Sequence, residues 1–301
     1  MIKLMVDSMG GDNGPSTVVE AVKLFLKDNK DCEVAVCGRK EELKELDGIA
    51  RIIDAPDVLP IEAGVFDVLR SPNSSMMKAI STMRDEKFDA IISAGSTGGF
   101  LSASTVTLKL IPGVKRAALI ANFPTKIKGK KMAVLDNGAS NENNAKQLVQ
   151  FAQMGVAYAQ TILNIEHPRV YLLSNGSEDE KGSPISKEAF KMLTEMNFEG
   201  FKGNIEARDI LNGDCDVLVT DGYTGNIMLK GIEGMGKAMS ELLNKAFRKN
   251  FWTKIGYLHV RKGIKNMKET FDSRSVGGAV LLGINGIVVK AHGNSDSITF
   301  C

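Results

Sequence analysis

The chain has 301 residues, of which 43% are hydrophobic and 25% charged, and its formal net charge is +2. That is the composition of a folded protein with a substantial core, not of a disordered segment, and so balanced a charge leaves any attraction for polyanions to local clusters. The longest mostly apolar stretch, Ala279 to Val289, is broken by Gly283, Asn285 and Gly286, well short of the roughly 20 apolar residues a membrane-spanning helix needs.

From the first residue onward, short apolar and β-branched runs predict strands at 2–6, 33–37, 50–53, 89–92, 117–121, 132–135, 169–173 and 215–219. They are too uniformly apolar to have a wet face, which points to a largely parallel sheet covered on both sides. Amphipathic patterns near 16–28, 97–110, 141–163, 186–196 and 225–249 predict the covering helices. The order βαβα implies a three-layer α/β/α Rossmann-like sandwich. No repeat, low-complexity segment or linker marks a boundary, so the expectation is a single α/β/α domain over 1–301. The N-terminal run turns polar at Asp7, too early for a secretory signal. The four cysteines form no CxxC, and the three histidines make no HxxxH. These features suit a reducing cytoplasm and predict no metal site.

Five of the predicted strands end in a polar, glycine-containing loop that leads into a helix. The loops are Asp7-Ser8-Met9-Gly10-Gly11-Asp12, Ser93-Ala94-Gly95-Ser96-Thr97-Gly98-Gly99, Asp136-Asn137-Gly138-Ala139-Ser140, Ser174-Asn175-Gly176-Ser177 and Asp221-Gly222-Tyr223-Thr224-Gly225-Asn226. In open α/β sheets ligands sit beyond the carboxyl ends of the strands. Glycine allows close backbone approach, and helix N-termini present unpaired N–H groups, so such loops suit phosphate. Any single βα turn favours the same residues for its own geometry; the repetition at five strand ends favours an anion site. His292 stands beside a sixth glycine-polar loop, where a capping role competes with a ligand role. Neither GxxxxGK[ST], GxGxxG nor GxSxG occurs, so nucleotide-binding and serine-hydrolase fingerprints are missing.

The loops resemble those of the bacterial phosphate acyltransferase family of phospholipid synthesis (PlsX). The matching pieces are DSMGGD at 7–12, SAGSTGG at 93–99, LDNGAS at 135–140, SNGSEDEKG at 174–182, GNIEARD at 203–209, VTDGYTGNIMLKGIEG at 219–234 and GGAVLLGINGIVVKAHGNSD at 277–296. Ser96 and Ser140 stand where the family usually has asparagine. The resemblance implies the isocitrate/isopropylmalate dehydrogenase-like variant of the sandwich, and attack by inorganic phosphate on an acyl carrier protein thioester. Phosphate is already nucleophilic at neutral pH and a thiolate leaves readily, so positioning and charge stabilisation suffice. Matched residue by residue, Lys181 and Asn226 are the expected oxyanion donors. Asp7, Gly10, Gly11, Asp12, Ser93, Gly95, Ser96, Thr97, Gly98, Asn137, Gly138, Asn175, Asn204, Asp221, Thr224, Gly225 and His292 are the expected phosphate and substrate residues. No cofactor is expected.

Residues 242–268 contain no acidic side chain and hold Lys245, Arg248, Lys249, Lys254, Arg261, Lys262, Lys265 and Lys268. Phe247, Phe251, Ile255 and Leu258 recur at helical spacing, and Trp252 is the only tryptophan. Such a basic amphipathic segment, here predicted to project as a helical arm over 242–270, suits an anionic membrane surface. Packing against the core or a second copy, or docking an acidic carrier protein, would use the same residues. No nucleic-acid motif accompanies it. The resemblance implies a cytoplasmic homodimer, peripheral to the membrane, that feeds a membrane acyltransferase. The competing readings are a phosphotransacetylase-like transferase using acyl-CoA, a non-catalytic scaffold of lipid synthesis at the membrane and an NAD-dependent dehydrogenase of related architecture.

Overall fold

The computed structural model describes residues 1–59, 65–271, 278–293 and 295–301; Gly277 and Asn294 of the matched motif, and the side chain of Lys268, lie outside what is described. Two compact units are interleaved along the sequence. The first comprises Met1–Ala121, Gly138–Ser140 and Gly277–Cys301, and the second Asn122–Asn137 and Asn141–Val276.

In the first unit the strands are β1 (Ile2–Asp7), β2 (Cys32–Gly38), β3 (Arg51–Asp54), β4 (Ala90–Ser93), β5 (Ala118–Pro124, which runs on past Ala121), β10 (Ala279–Leu282) and β11 (Ile287–Lys290). Their spatial order is β3-β2-β1-β4-β11-β10-β5. All neighbours are parallel except β10, which runs antiparallel to both β11 and β5. The helices are α1 (Gly14–Asp28), α2 (Val65–Arg70), α3 (Ser75–Glu86), α4 (Thr97–Leu108) and the short α9 (Ser297–Phe300).

Strand alternation divides the core between two faces. Val6, Val34 and Val36 pack under Val18, Val19 and Val22 of α1. Met5, Ala35 and Cys37 point the other way and meet Met76, Ile80 and Met83 of α3 and Phe100 of α4. Buried strands sandwiched in this way read as continuous apolar runs, which is why they are visible in the sequence.

The second unit holds β6 (Lys131–Leu135), β7 (Val170–Ser174), β8 (Phe201–Glu206) and β9 (Val217–Val219), all parallel, in the order β6-β9-β7-β8. Helix α5 (Ala145–Thr161) packs closely on it. A Cβ at Gly155 would stand 3.0 Å from Leu135 and closer still to Val217. Helix α6 (Pro184–Glu195) lies over β7 and β8, its Phe190 meeting Phe201 edge-on at 5.3 Å. The unit also carries α7 (Gly222–Phe247) and α8 (Phe251–Phe271). No described helix is long and apolar enough to cross a membrane.

Every predicted strand and helix is present within a few residues of its expected bounds. The strands β8, β10 and β11, and the helices α2, α3 and α9, are additions, while α8 falls within the helical segment predicted over 242–270. The sheet is mixed and mostly parallel, with helices on both sides, as the α/β/α reading requires.

Candidate functional site

In the first unit the carboxyl ends of three neighbouring strands line up. The parallel register sets Asp7 of β1 opposite Ser93 of β4, and Ser93 opposite Lys290 of β11. Residues paired in register point to the same face, so a carboxylate, a hydroxyl and an ammonium stand side by side. Ser93 Oγ donates to Asp7 Oδ2 at 2.7 Å and accepts from the Gly95 amide at 3.0 Å. Asp7 is almost fully buried. Burial pushes its carboxyl above the usual range, against the opposing pull of hydrogen bonds from Ser75, Ser93 and the Met9 amide and of the Lys290 charge.

Backbone contacts stitch the loops beyond this row. The Asp12 amide donates to the Gly293 carbonyl at 2.8 Å, the Ala291 amide to the Ser93 carbonyl at 2.9 Å, and Asn13 Nδ2 to the Ser295 carbonyl at 2.9 Å. Gly10 lies against the Gly95 backbone and Gly11 against Ala94. A side chain at Gly10 would force the β1 and β4 loops apart. Ser96 caps α4 by accepting from the Gly99 amide, and a Cβ at Gly98 would meet nothing within 4 Å. The first turn of α4 therefore opens onto free space at Gly98. A small cleft beside it is lined by Asp7, Met9, Gly10, Ser75, Gly95 and Ser96. Asp12 and His292 are exposed at the margin. Gly138 has φ +108°, a left-handed value natural only to glycine, two residues before Ser140, whose Oγ accepts from Arg116 at 2.7 Å.

The second unit presents its own rim. Asp221 caps α7, accepting from the Thr224 amide at 2.8 Å and from the Thr224 hydroxyl at 2.7 Å. Gly225 lies on the Asp136 carbonyl so closely that any side chain would collide, and Asn226 follows it, exposed, in the first turn of α7. Asn137 is buried; its Nδ2 donates to the Val134 carbonyl at 3.0 Å while Oδ1 finds no protein partner. At the end of β7, Asn175 Oδ1 accepts from the Gly182 amide at 2.9 Å, and Asn204 of β8 donates to the Glu178 carbonyl at 2.8 Å. These two asparagines hold the 174–182 loop in shape. Lys181 lies on that loop with an exposed side chain whose stem passes over Gly176. A cavity of about 580 Å³ in this unit is lined by Asn122, Lys130, Lys131, Ile162, Arg169 and Asp216 among others, at the amino ends of its strands, away from these loops.

Each unit thus gathers its share of the expected residues. Asp7, Gly10, Gly11, Asp12, Ser93, Gly95, Ser96, Thr97, Gly98, Gly138 and His292 belong to the first; Asn137, Asn175, Lys181, Asn204, Asp221, Thr224, Gly225 and Asn226 belong to the second. The row adds one functional group that sequence reasoning passed over. Lys290 is only 9% exposed, and its Nζ donates to the Ala94 carbonyl at 3.2 Å and to the Ala291 carbonyl. The available signal was a lone lysine closing the apolar run Ile287-Val288-Val289. Cys37, level with Asp7 on β2, is fully buried, and burial pushes its thiol up to about 12. It is therefore no thiolate nucleophile.

The basic segment is a helical pair, not one continuous helix. Helix α7 ends at Phe247, and α8 begins at Phe251 behind a cap in which Asn250 and Thr253 exchange hydrogen bonds at 3.0 Å. This break corrects the expected single apolar face. Phe247 instead packs against Tyr257 across the pair, with ring centroids 5.4 Å apart. Lys245, Arg248 and Lys249 are exposed around the turn. Beside them Phe251 is 69%, Trp252 76% and Leu258 58% exposed, while Ile255 is half-buried.

Residues 2–301 match the family model described as "Fatty acid synthesis protein". A protein named phosphate acyltransferase from Sulfurovum sp. is 40% identical over 99% of this chain and 91% of its own length. Another of that name, from Clostridium novyi, is 40% identical over 99% and 92%. Among solved structures, a phosphotransacetylase from Streptococcus pyogenes superposes with TM-score 0.63 at 17% identity, over 99% of this chain and 91% of that one. A 4-hydroxythreonine-4-phosphate dehydrogenase from Klebsiella pneumoniae gives 0.54 at 12% identity, over 100% and 95%. At such identities these structures establish the α/β/α fold alone, whereas the sequence matches run nearly end to end, and by them the chain belongs to the phosphate acyltransferase family.

Proposed function

We propose that this protein transfers a long-chain fatty acyl group from acyl carrier protein to inorganic phosphate, giving an acyl phosphate for phosphatidic acid synthesis. The observation that carries the reading is the near full-length identity with proteins named phosphate acyltransferase. The chemistry of the two rims agrees with it: both offer backbone amides, hydroxyls and carboxamides, and the buried thiol beside Asp7 is held protonated. An enzyme that positions a ready nucleophile against a thioester needs those groups and no covalent intermediate of its own.

In the reaction a phosphate oxygen of the hydrogenphosphate dianion attacks the thioester carbonyl, and the carbon–sulfur bond breaks as the tetrahedral centre collapses. The carrier thiolate leaves and takes up the proton that the phosphate gives up. Phosphate is assigned to the β1 and β4 loops, with the first turn of α4. Lys181 and Asn226 are assigned to the oxyanion, and one such donor is worth about 3–4 kcal/mol. No cofactor enters.

The exposed aromatic and basic groups at the α7–α8 turn are assigned to an anionic membrane surface, where each cation contributes about 1 kcal/mol. On this reading the protein is a cytoplasmic homodimer peripheral to the membrane, and it passes its product to a membrane acyltransferase. The test is acyl phosphate formation from palmitoyl carrier protein and phosphate, trapped as the hydroxamate, with palmitoyl-CoA as a parallel donor. Hydroxamate from the carrier protein supports the reading. Product from the CoA thioester alone replaces it with a phosphotransacetylase-like activity, and no product from either donor overturns it.

A further inference from the structure

Within the first unit, β11 lies between β4 and β10 and brings one lysine to the carboxyl end of the sheet. An ammonium carries three donors. Two are used, on the carbonyls of Ala94 in the β4 loop and Ala291 in the β11 loop. Lys290 therefore ties the β4 loop, which leads into α4, to the β11 loop. The charged groups that act on it are Asp12 and Asp7 on the β1 loop, both through space. Beta-strand β4 and helix α3 face the row with the uncharged Ser93 and Ser75, and His292, on its own loop, is exposed.

Two carboxylates beside a bound phosphate dianion would repel it. A neighbouring fixed cation reverses that balance, and a buried one is screened little by salt. We propose that Lys290 is the positioning residue of the phosphate site, holding the β4 and β11 loops and supplying the charge that lets a rim carrying Asp7 and Asp12 accept a dianion. This inference rests on the assignment of phosphate to these loops made above. Burial also lowers the Lys290 ammonium from 10.5 to about 8, against the opposing pull of Asp12 and Asp7, so its charge is in place at neutral pH and is lost in mildly alkaline solution.

The experiment uses the full chain as wild type, Lys290→Met and Lys290→Arg. Calorimetric titration with inorganic phosphate is paired with steady-state kinetics on palmitoyl carrier protein. Lys290→Met is expected to weaken phosphate binding, and to raise the phosphate KM, by about tenfold or more, with the acyl-donor KM changed less than about twofold. Lys290→Arg is expected to recover phosphate affinity to within about threefold, since charge and donors return. From about pH 7.5 to about 9.5, where phosphate stays dianionic, wild-type affinity is expected to fall as Lys290 deprotonates, and the Met variant to show no such fall.

Wild-type phosphate affinity in Lys290→Met overturns the proposal, as does an Arg variant no better than Met or a joint rise of both KM values. Should Lys290→Met fail to fold, the Arg variant and the wild-type pH profile decide, and a flat profile overturns the proposal. Phosphate binding that depends on Lys290 without turnover of either thioester refutes the acyl-transfer reading and leaves Lys290 in its role.

Discussion

Gly10 offers the sharpest test of how the first rim is built. A Cβ there would come within 2.7 Å of the Gly95 amide nitrogen, and nearer still to its Cα, where carbon atoms rest at about 3.5–4.0 Å. The obstacle is backbone on both sides, so no side chain can swing away. One loop must retreat by about 1 Å, and both are tied down, by Ser93 to Asp7 and by Asp12 to Gly293. Overpacking of this kind costs about 1–3 kcal/mol, equivalent to a fall in melting temperature of about 2–5 °C for a chain of this length. A displacement of about 1 Å in a positioning site costs about a hundredfold in rate. Gly98→Ala is the matched control for stability: it lies in the first turn of α4, its Cβ would meet nothing, and alanine in a helical turn stabilises by up to about 1 kcal/mol. Thermal unfolding of both variants and the phosphate KM of Gly10→Ala decide. A Gly10→Ala protein with wild-type melting and phosphate KM, or a Gly98→Ala protein equally destabilised, refutes the reasoning.

Further outcomes follow from the other rim and the helical pair. Lys181→Ala should lower turnover at least about tenfold with unchanged melting, since the side chain is exposed; near-normal activity removes it from the reaction. Replacing Lys245, Arg248 and Lys249 with glutamate should release the protein from anionic vesicles in a flotation assay, while retained binding returns the turn to a packing role. Burial raises the Asp216 carboxyl, but hydrogen bonds from Arg169 and Lys130 outweigh that and hold it below its usual value. The stability this supplies is complete above about pH 4 and lost as the pH falls through the folded value. Asp216→Asn should therefore lower urea stability at neutral pH by about 2–4 kcal/mol and flatten the acid limb of its pH profile. An unchanged acid limb contradicts that.

Much of this was legible in the residues. Buried parallel strands advertise themselves as unbroken apolar runs, and the rim loops announced themselves by glycine and hydroxyl repetition at strand ends. What escaped depends on partners distant in sequence. Lys290 reads as an ordinary polar residue closing a strand, and becomes buried only because β11 inserts between β4 and β10. Helix α3, with Met76, Ala79, Ile80 and Met83 on its buried face and Ser74 as its cap, carried a helical period within a stretch too polar overall to stand out. Spacing alone placed Phe247 with Phe251, while the Asn250–Thr253 cap that separates them was a local signal left unread. The two units left no compositional seam, because the chain passes between them four times, three of them inside the folded loops and strands around residues 121–141.

The position of β11 has a consequence for how the protein is made. Ribosomes release the N-terminus first, and domains fold as their residues emerge. All strands of the second unit have left the ribosome by Val219, whereas β4 acquires its neighbour β11 only when Ile287–Lys290 appears. Until then the edge of β4 stays unpaired, and the nascent chain exposes a sticky strand to chaperones and to other copies. The row Asp7, Ser93, Lys290 is thus completed only after every strand of the second unit has been made, and a message cut short before β11 would leave the first rim without the buried Lys290.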